Sequence, residues 1–172
     1  MAARHLHHYG YAPTVYYPKP SKPDLFTRLQ TQLKALSIPF ADADPSSSSF
    51  KDTLSHTNLI VDALFGFSFR PPVRAPFDKI IPLFGTIPVL SVDIPSSWDV
   101  ESGPPEDSTF MPEYLISLTA PKPCVKCFTG RRHFVGGRFL PPAVAEKFGL
   151  DLPAYEGIDQ IVEVPVGGGG KL

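Results

Sequence analysis

The sequence predicts an α/β fold organised around a mostly parallel β-sheet. Near-continuous apolar runs at residues 58–64, 87–93 and 114–119 are typical of strands that are buried on both faces. Segments with helical spacing or helix-start signals lie between and around these runs. Strands that alternate with helices form βαβ units, in which the strands are parallel and the crossovers right-handed.

The N-terminal part of the chain adds two helices and two short strands to this prediction. A first helix is expected from Ala2 to Leu6, with Gly10 near its C-terminal cap. β-branched and aromatic residues predict a strand at residues 14–17 and a second short one near residues 38–40. Between these strands, a helix-start signal at residues 21–24 precedes a leucine stripe formed by Leu25, Leu29, Leu33 and Leu36.

The remaining segments are loops, two short helices and an edge strand. Residues 42–49 are polar and serine-rich, as in a surface loop. Residues 76–84 predict a short helix that Pro82 interrupts, and residues 141–148 predict a helix that stops at Gly149. Residues 160–164 alternate as in an edge strand. We expect one domain over residues 1–164 and a disordered glycine-rich tail over residues 165–172.

Composition excludes several classes of function. With 172 residues, 42% apolar and 19% charged, the chain has the size and balance of one soluble domain. A net charge of −1 gives no reason to expect nucleic acid or membrane as a partner. No apolar run approaches the ~20 residues that span a bilayer, and no signal peptide is visible. Two cysteines are no disulfide framework, which favours a reducing compartment.

Polar residues at the ends of predicted strands are the first candidates for chemistry. Asp62, Asp93 and Thr119 each lie at or near such an end. In open α/β sheets, ligands bind at the carboxyl ends of strands, and a buried carboxylate needs a partner or a cation. The turn after Asp93 could expose Ser96 beside it. The alternative is that both aspartates cap the loops that follow them.

The loop after the Asp62 strand is a second candidate. Gly66 permits close approach of a ligand, and Ser68 offers a hydroxyl group. Arg70 and Arg74 could bind a phosphate, because guanidinium groups pair with phosphate oxygens. The alternative is a surface loop with solvated arginines.

Three further patterns are expected to be structural. Cys124 and Cys127 form a C-x-x-C without a second ligand pair or a helix-start context, so we expect two ordinary thiols on a loop. The histidine group has poor spacing for a helical metal pair and is expected at the surface: His5, His7 and His8. The alternating aromatic residues are expected in the core or a dimer interface: Phe65, Phe67 and Phe69.

Four motifs in order carry a family resemblance. They are Val61-Asp-Ala-Leu-Phe-Gly-Phe-Ser-Phe, Ser91-Val-Asp-Ile-Pro-Ser-Ser-Trp-Asp-Val-Glu, Leu118-Thr-Ala-Pro-Lys and Gly136-Gly-Arg-Phe-Leu-Pro-Pro. Each motif alone is weak, but at this spacing they together resemble the NAD(P)H-hydrate epimerases of the YjeF N-terminal-domain family. The animal members are also called apolipoprotein-binding protein. The resemblance runs from Ala2 to about Val164.

The resemblance implies a fold, a reaction and an ion. The fold would be a Rossmann-like three-layer αβα domain with a mostly parallel sheet. The reaction would be the epimerisation of the R and S forms of hydrated NADH and NADPH, at the ring carbon that bears the hydroxyl group. A bound potassium ion, a cytosolic or mitochondrial location and, in the full-length family, a homodimer are implied as well.

The matching motifs also imply roles for individual residues. Asp62 and Ser96 would be potassium ligands. Asp93 would contact the hydrated nicotinamide and act as the acid/base, because proton movement there needs a positioned carboxylate. Lys122 would assist electrostatically, unless it is a solvated loop lysine. The substrate would be lined by Gly66, Phe67, Ser68, Phe69, Arg70, Pro71 and Pro72.

The sequence departs from the family pattern in three places. Met1 stands in place of an Asn-Asn-x-Gly-Asp-Gly-Leu loop and all that precedes it, so we expect a truncated domain that lacks its first strand and glycine-rich loop and has reduced activity or none. Ser97 replaces a glycine, which would be unfavourable if the position requires a positive φ. Pro71 and Pro72 remove two N–H donors.

Two other functions compete with the enzyme. The same domain type serves as a non-catalytic dimerising module in messenger-RNA decapping scaffolds. Two carboxylates at strand ends favour the enzyme, because a scaffold does not need them. An unrelated α/β nucleotide-binding protein would require all four motifs to be coincidence.

Overall fold

A computed structural model describes residues 1–20 and 23–167 of the chain. It divides into two compact units, Met1–Thr57 and Asn58–Leu172. Residues 21 and 22 of the predicted helix start and residues 168–172 of the predicted disordered tail lie outside the described residues. Within the described part, no helix combines the length and apolar character that crossing a membrane requires.

The first unit contains three helices, α1 (Ala2–His8), α2 (Asp24–Ala35) and α3 (Ser48–Ser55). The predicted leucine stripe of α2 is only partly covered within the chain: Leu33 is buried, whereas Leu25 is exposed. Helix α3 was not predicted, and its first residues were wrongly expected in a serine-rich loop. The Ser47 hydroxyl accepts a hydrogen bond from the backbone N–H of Phe50 at 3.1 Å and so caps the helix.

The two strands predicted for this unit are almost absent. Residues 14–17 and 38–40 meet only in a single parallel bridge between Val15 and Phe40. Val15 donates to the carbonyl of Pro39, and Ala41 donates to the carbonyl of Val15, each at 2.9 Å. Pro39 has no N–H group, so the ladder cannot extend regularly along this segment.

The second unit is built on a five-stranded sheet. Its strands are β1 (Ile60–Asp62), β2 (Val89–Val92), β3 (Tyr114–Leu118), β4 (Arg132–Gly136) and β5 (Ile161–Val164). They lie in sequence order, with β1 to β4 parallel and β5 antiparallel to β4. The predicted α/β class with a mostly parallel sheet is therefore confirmed, as is the edge strand at the C-terminal end.

Several elements of this unit differ from the prediction. Strand β1 has three residues and stands at one end of the described strand order, with Val61 36% exposed, so the expectation of burial on both faces is wrong for β1. Strand β4 was not predicted. The helix expected at residues 76–84 is two short 3₁₀ helices, Phe77–Lys79 and Ile81–Phe84, the second with Pro82 in its first turn.

The C-terminal helix is as predicted. Helix α4 (Pro142–Phe148) begins after Pro141 and ends at Gly149, which adopts the left-handed conformation with φ of 61°. Proline at the start and glycine just past the end are the two signals from which this helix was predicted.

The core of the second unit lies beneath the loops that follow β2 and β3. It is formed by Ile94, Trp98, Leu115, Cys124, Val125 and Phe128. The two cysteines are free, as expected, but they belong to a 3₁₀ helix, Pro123–Cys127, and not to an open loop. Burial raises the pKa of the Cys124 thiol to about 12, so Cys124 acts as a small apolar core residue.

Candidate active site at the carboxyl edge of the sheet

Strands β2 and β3 end in the same unusual turn. Asp93 follows β2 with a φ of 75°, and Thr119 follows β3 with a φ of 72°. In each case the next residue donates its N–H to the carbonyl two positions back: Ile94 to Val92 at 3.1 Å, and Ala120 to Leu118 at 2.9 Å. Such γ-turns with positive φ are rare and strained, and strain of this kind concentrates at functional sites.

The two turns bring a carboxylate and an ammonium group together. The Lys122 ammonium group forms an ion pair with Asp93 Oδ1 and also donates to the carbonyl of Leu118 at 2.7 Å. The Lys122 side chain is 18% exposed and that of Asp93 is 12% exposed. The pair is therefore largely shielded from water, which strengthens it, and still accessible to a ligand.

The loop after β1 is attached to the other oxygen of Asp93. The backbone N–H of Phe67 donates to Asp93 Oδ2 at 2.9 Å. A Cβ atom on Gly66 would lie 3.2 Å from the same oxygen, so glycine allows this close approach. Gly66 and Phe67 thus adjoin Asp93, while Arg70 and Arg74 are exposed, and the role of this loop in binding stays a prediction.

The three alternating phenylalanines of this region divide between core and surface. Phe65 stacks on Phe69 with 4.4 Å between the ring centroids, and Phe69 packs against the core cluster. Phe67 is 68% exposed, so it is not a core residue, and the expected alternative of a dimer interface stays a prediction for Phe67.

Asp62 is the last residue of β1 and is 2% exposed. Its Oδ2 accepts from the Ser91 hydroxyl at 2.8 Å and from the backbone N–H of Ser96 at 2.9 Å. Its Oδ1 accepts from the Ser96 hydroxyl at 2.5 Å and from the backbone N–H of Leu64 at 3.4 Å. Asp62 takes part in no salt bridge between described residues. The buried carboxylate is thus bound by neutral donors only.

Ser91 is the residue of this site that the sequence prediction missed. It lies directly opposite Asp62 in the register of β1 and β2, which explains the contact between their side chains. The available signal was a single serine within an otherwise apolar strand. A polar side chain in such a strand needs a partner, and the facing strand end offered Asp62.

Ser97 occupies a position that suits glycine better. Its φ is 79°, and among the described residues its buried hydroxyl has no hydrogen-bond partner. The concern raised by the sequence, that serine replaces a glycine with positive φ, is therefore supported. Ser97 holds a strained conformation next to Ser96, the main partner of Asp62.

Other candidate residues lie outside this cluster. His5, His7 and His8 are exposed on α1, and the described residues contain no group of three or more His, Cys, Asp or Glu side chains fit to hold a metal. A groove of about 960 Å³ touches Pro71, Pro72 and Ser97. Most of that groove is lined by residues just before β2, β3 and β4, at the opposite ends of these strands from the ion pair.

Comparison with known proteins shows which family the chain belongs to. The model of the family described as YjeF-related protein N-terminus matches residues 1–124. An NAD(P)H-hydrate epimerase of Ajellomyces capsulatus is 57% identical over 177 residues, covering 100% of this chain and 72% of the relative. One from Sclerotinia sclerotiorum is 55% identical and covers 96% of this chain and 69% of the relative.

A solved structure is similar over the same extent. The crystal structure of yeast YNL200c, also called ynu0, superposes with a TM-score of 0.87 at 41% identity. The alignment covers 95% of this chain and 70% of that one. Fold and sequence together place the chain in a family of α/β proteins. The chain belongs to the YjeF-related N-terminal family, in the branch whose members are named NAD(P)H-hydrate epimerase.

Proposed function

We propose that this chain is an isomerase that interconverts the R and S forms of hydrated NADH and NADPH at the carboxyl edge of its sheet. The relatives described above carry the name of this enzyme. The observation that carries the proposal is the shielded ion pair between Asp93 and Lys122, held by two strained turns. A scaffold without catalytic activity would gain nothing from such strain.

The reaction inverts one carbon of the hydrated nicotinamide ring, the carbon that bears the hydroxyl group. A bond to this carbon must break on one face of the ring and form again on the other face. Breaking the bond and forming it each require the transfer of a proton. In the proposal Asp93 accepts and returns that proton. Lys122 lies against the same carboxylate and stabilises its negative charge when the proton leaves.

The loop from Gly66 to Pro72 would line the substrate. Its fixed point is the hydrogen bond from the Phe67 N–H to Asp93, which places the loop backbone beside the reacting group. Phe67 would cover the ring and exclude water from it, because it is exposed and aromatic. Arg70 would bind a phosphate of the dinucleotide.

Asp62 and Ser96 fit a potassium ion by the chemistry of their donors. A carboxylate that is 2% exposed and bound by neutral donors retains a demand for positive charge. The Ser96 hydroxyl donates its hydrogen bond to Asp62, so the lone pairs of the hydroxyl oxygen remain for a hard cation. The ion would supply the positive charge that fixes the Ser96 loop next to Asp93.

The test is an epimerase assay on separated R and S hydrated NADH, with the wild type and Asp93→Asn. A positioned acid/base contributes about 10²- to 10⁴-fold, so we expect kcat to fall by that factor in the variant. Asp107→Asn is the matched control, because Asp107 is exposed and outside the ion-pair cluster. Unchanged rates in Asp93→Asn would remove Asp93 from the mechanism, and an inactive wild type would refute the function.

Two wider features belong to the same proposal. We place the enzyme in the cytosol or the mitochondrion, where its substrates arise, and we propose a homodimer as its assembled form. Sedimentation at micromolar concentration tests the second point directly. A single species of 18.8 kDa would contradict the dimer.

A further inference from the structure

A second cavity opens at the carboxyl ends of β3 and β4. Its volume is about 230 Å³, and its floor includes Thr119 and Gly137, which directly follow these two strands. Thr119 donates its N–H to the carbonyl of Gly136 at 2.8 Å, which joins the two strand ends. Lys122 of the ion pair is three residues beyond Thr119 and donates to the carbonyl of Leu118, directly before Thr119. The cavity therefore lies next to the proposed reaction site.

One wall of this cavity is an exposed aromatic ring in a fixed position. Phe139 is 69% exposed. A Cβ atom on Gly137 would lie 2.0 Å from Phe139 Cε2 and 2.5 Å from Cζ, so the ring occupies the space where any other residue would have its side chain. Gly137 also has a φ of 82°, which suits only glycine well. The turn thus positions the Phe139 ring, and much of this ring remains exposed.

The lining of this cavity also carries a second aromatic ring and a positive charge. The guanidinium group of Arg138 lies 5.3 Å from the ring centroid of Tyr155. Arg138 also donates to the carbonyl of Gly157 at 2.7 Å, which fastens the Tyr155 segment to the end of β4. Apolar side chains complete the lining: Leu140, Leu152 and Pro153. A cavity lined by two aromatic rings suits a flat heterocycle, which stacks on aromatic faces irrespective of its hydrogen-bonding pattern.

We propose that this cavity binds the adenine ring of the dinucleotide substrate, with Phe139 as its stacking partner. The inference rests on the proposed function, in which the nicotinamide end occupies the Asp93–Lys122 pair. The substrate then has one further heterocycle, tethered by the pyrophosphate and needing an apolar surface nearby. Phe139 is a specificity-determining residue in this arrangement, because it recognises the half of the substrate that does not react.

The experiment compares two substrates that differ only in this half. They are hydrated NADH and hydrated reduced nicotinamide mononucleotide, which lacks the adenosine. Loss of base stacking is worth about tenfold to hundredfold, so Phe139→Ala should lower kcat/KM for hydrated NADH by that factor, mainly through KM. The rate with the mononucleotide should stay unchanged. Phe139→Trp should retain the wild-type preference, because it keeps an aromatic face.

Phe148→Ala is the matched control. Phe148 is similarly exposed, at 65%, and lies on α4 outside the cavity lining. We expect it to leave both substrates unaffected. An equal loss on both substrates in Phe139→Ala, or no loss on hydrated NADH, overturns the adenine site. Circular dichroism of Phe139→Ala and of Phe139→Leu, which keeps apolar bulk without a ring, excludes a folding defect as the cause.

A separate measurement keeps this proposal distinct from the proposed function. Titration of AMP by calorimetry requires no catalysis and uses the whole chain. AMP binding to the wild type that weakens about tenfold or more in Phe139→Ala supports the cavity even if the epimerase assay fails. AMP binding that is absent, or equal in the two proteins, overturns the cavity even if the epimerase assay succeeds.

Discussion

Asp62 and Asp93 follow each other at the ends of neighbouring strands, but the protein surrounds them with different partners. Asp62 is bound by the hydroxyl of Ser91 and by the hydroxyl and N–H of Ser96, all neutral. Asp93 is bound by the Lys122 ammonium group and by the N–H of Phe67. Among the described residues, the side chains that bind Asp62 include no cation. Asp93, in contrast, is bound by a cationic side chain, that of Lys122.

This difference separates a binding role from a chemical role. A carboxylate whose neighbours are neutral favours an added cation, because the buried charge is otherwise uncompensated. A carboxylate paired with an ammonium group is already compensated and can exchange a proton with a ligand. Position at a strand end is common to both aspartates, so their partners, and not their position, distinguish them.

The largest expected effect comes from removing the two carboxylates in turn. Asp62→Ala leaves four donors of three residues without an acceptor, and each unsatisfied buried group costs about 1–3 kcal/mol. We expect the free energy of unfolding to fall by about 3 kcal/mol or more. Asp93→Ala should cost less, because the Lys122 side chain is 18% exposed and can turn its ammonium group toward water. Urea denaturation measures the free energy of unfolding of both variants. Equal losses would contradict the difference between the two aspartates.

Potassium provides the next test. A ligand that binds only the folded state at about 100 times its Kd stabilises it by ~2.7 kcal/mol. We expect the wild type to melt at a higher temperature in potassium chloride than in choline chloride of the same ionic strength. Asp62→Asn should abolish this difference, whereas Asp93→Asn should keep it. Loss of the potassium effect in both variants, or in neither, would remove Asp62 as the specific ligand.

Ser97 tests how the strained loop beside Asp62 is maintained. Ser97→Gly should raise the free energy of unfolding by about 1 kcal/mol, because glycine adopts a φ of 79° without strain and leaves no unpaired hydroxyl. Ser97→Ala removes only the hydroxyl and should gain less. Thermal melting of the three proteins orders them, and a glycine variant no more stable than the alanine variant would show that φ is not strained.

The last test concerns the pH dependence of stability, which affects the measurements on both aspartates. His133 is fully buried against Ser117, and its burial lowers its pKa from the ordinary 6.5. The neutral form is favoured in the folded state, so its contribution to stability is complete above pH 6.5 and decreases as the pH falls below it. We expect at most about 1.4 kcal/mol per pH unit below that value. His133→Gln should reduce this slope, and an unchanged slope would assign it to other groups.

Elements with strong local signals were predictable from the sequence. Helix α4 lies between prolines and Gly149. Strands β2 and β3 are apolar runs, a pattern that fits a buried strand better than any other element. The segment at residues 14–17 has equally good local signals and forms only one bridge. Strand formation depends on a partner that can complete the ladder, and Pro39 limits this one.

Some residues of the candidate site were likewise predictable from the sequence, and others were not. Asp62, Asp93 and Thr119 were recognisable because polar residues at the ends of apolar strands are costly without a purpose. The role of Ser91 was not recognisable, because it arises from the register between β1 and β2, which places it opposite Asp62. Register is a property of paired strands and is not encoded in either strand alone.

The sequence by itself therefore determined the α/β class, the parallel sheet and the residues that end its strands. These follow from the pattern of apolar and polar residues, and that pattern is local. Only the tertiary structure decided that Lys122 pairs with Asp93, that two serines enclose Asp62, and that Phe139 stands over Gly137. The contacts of Asp93 and Asp62 join residues of separate strands and turns, and the Phe139 contact requires the left-handed backbone at Gly137. All three depend on backbone angles that the surrounding packing sets.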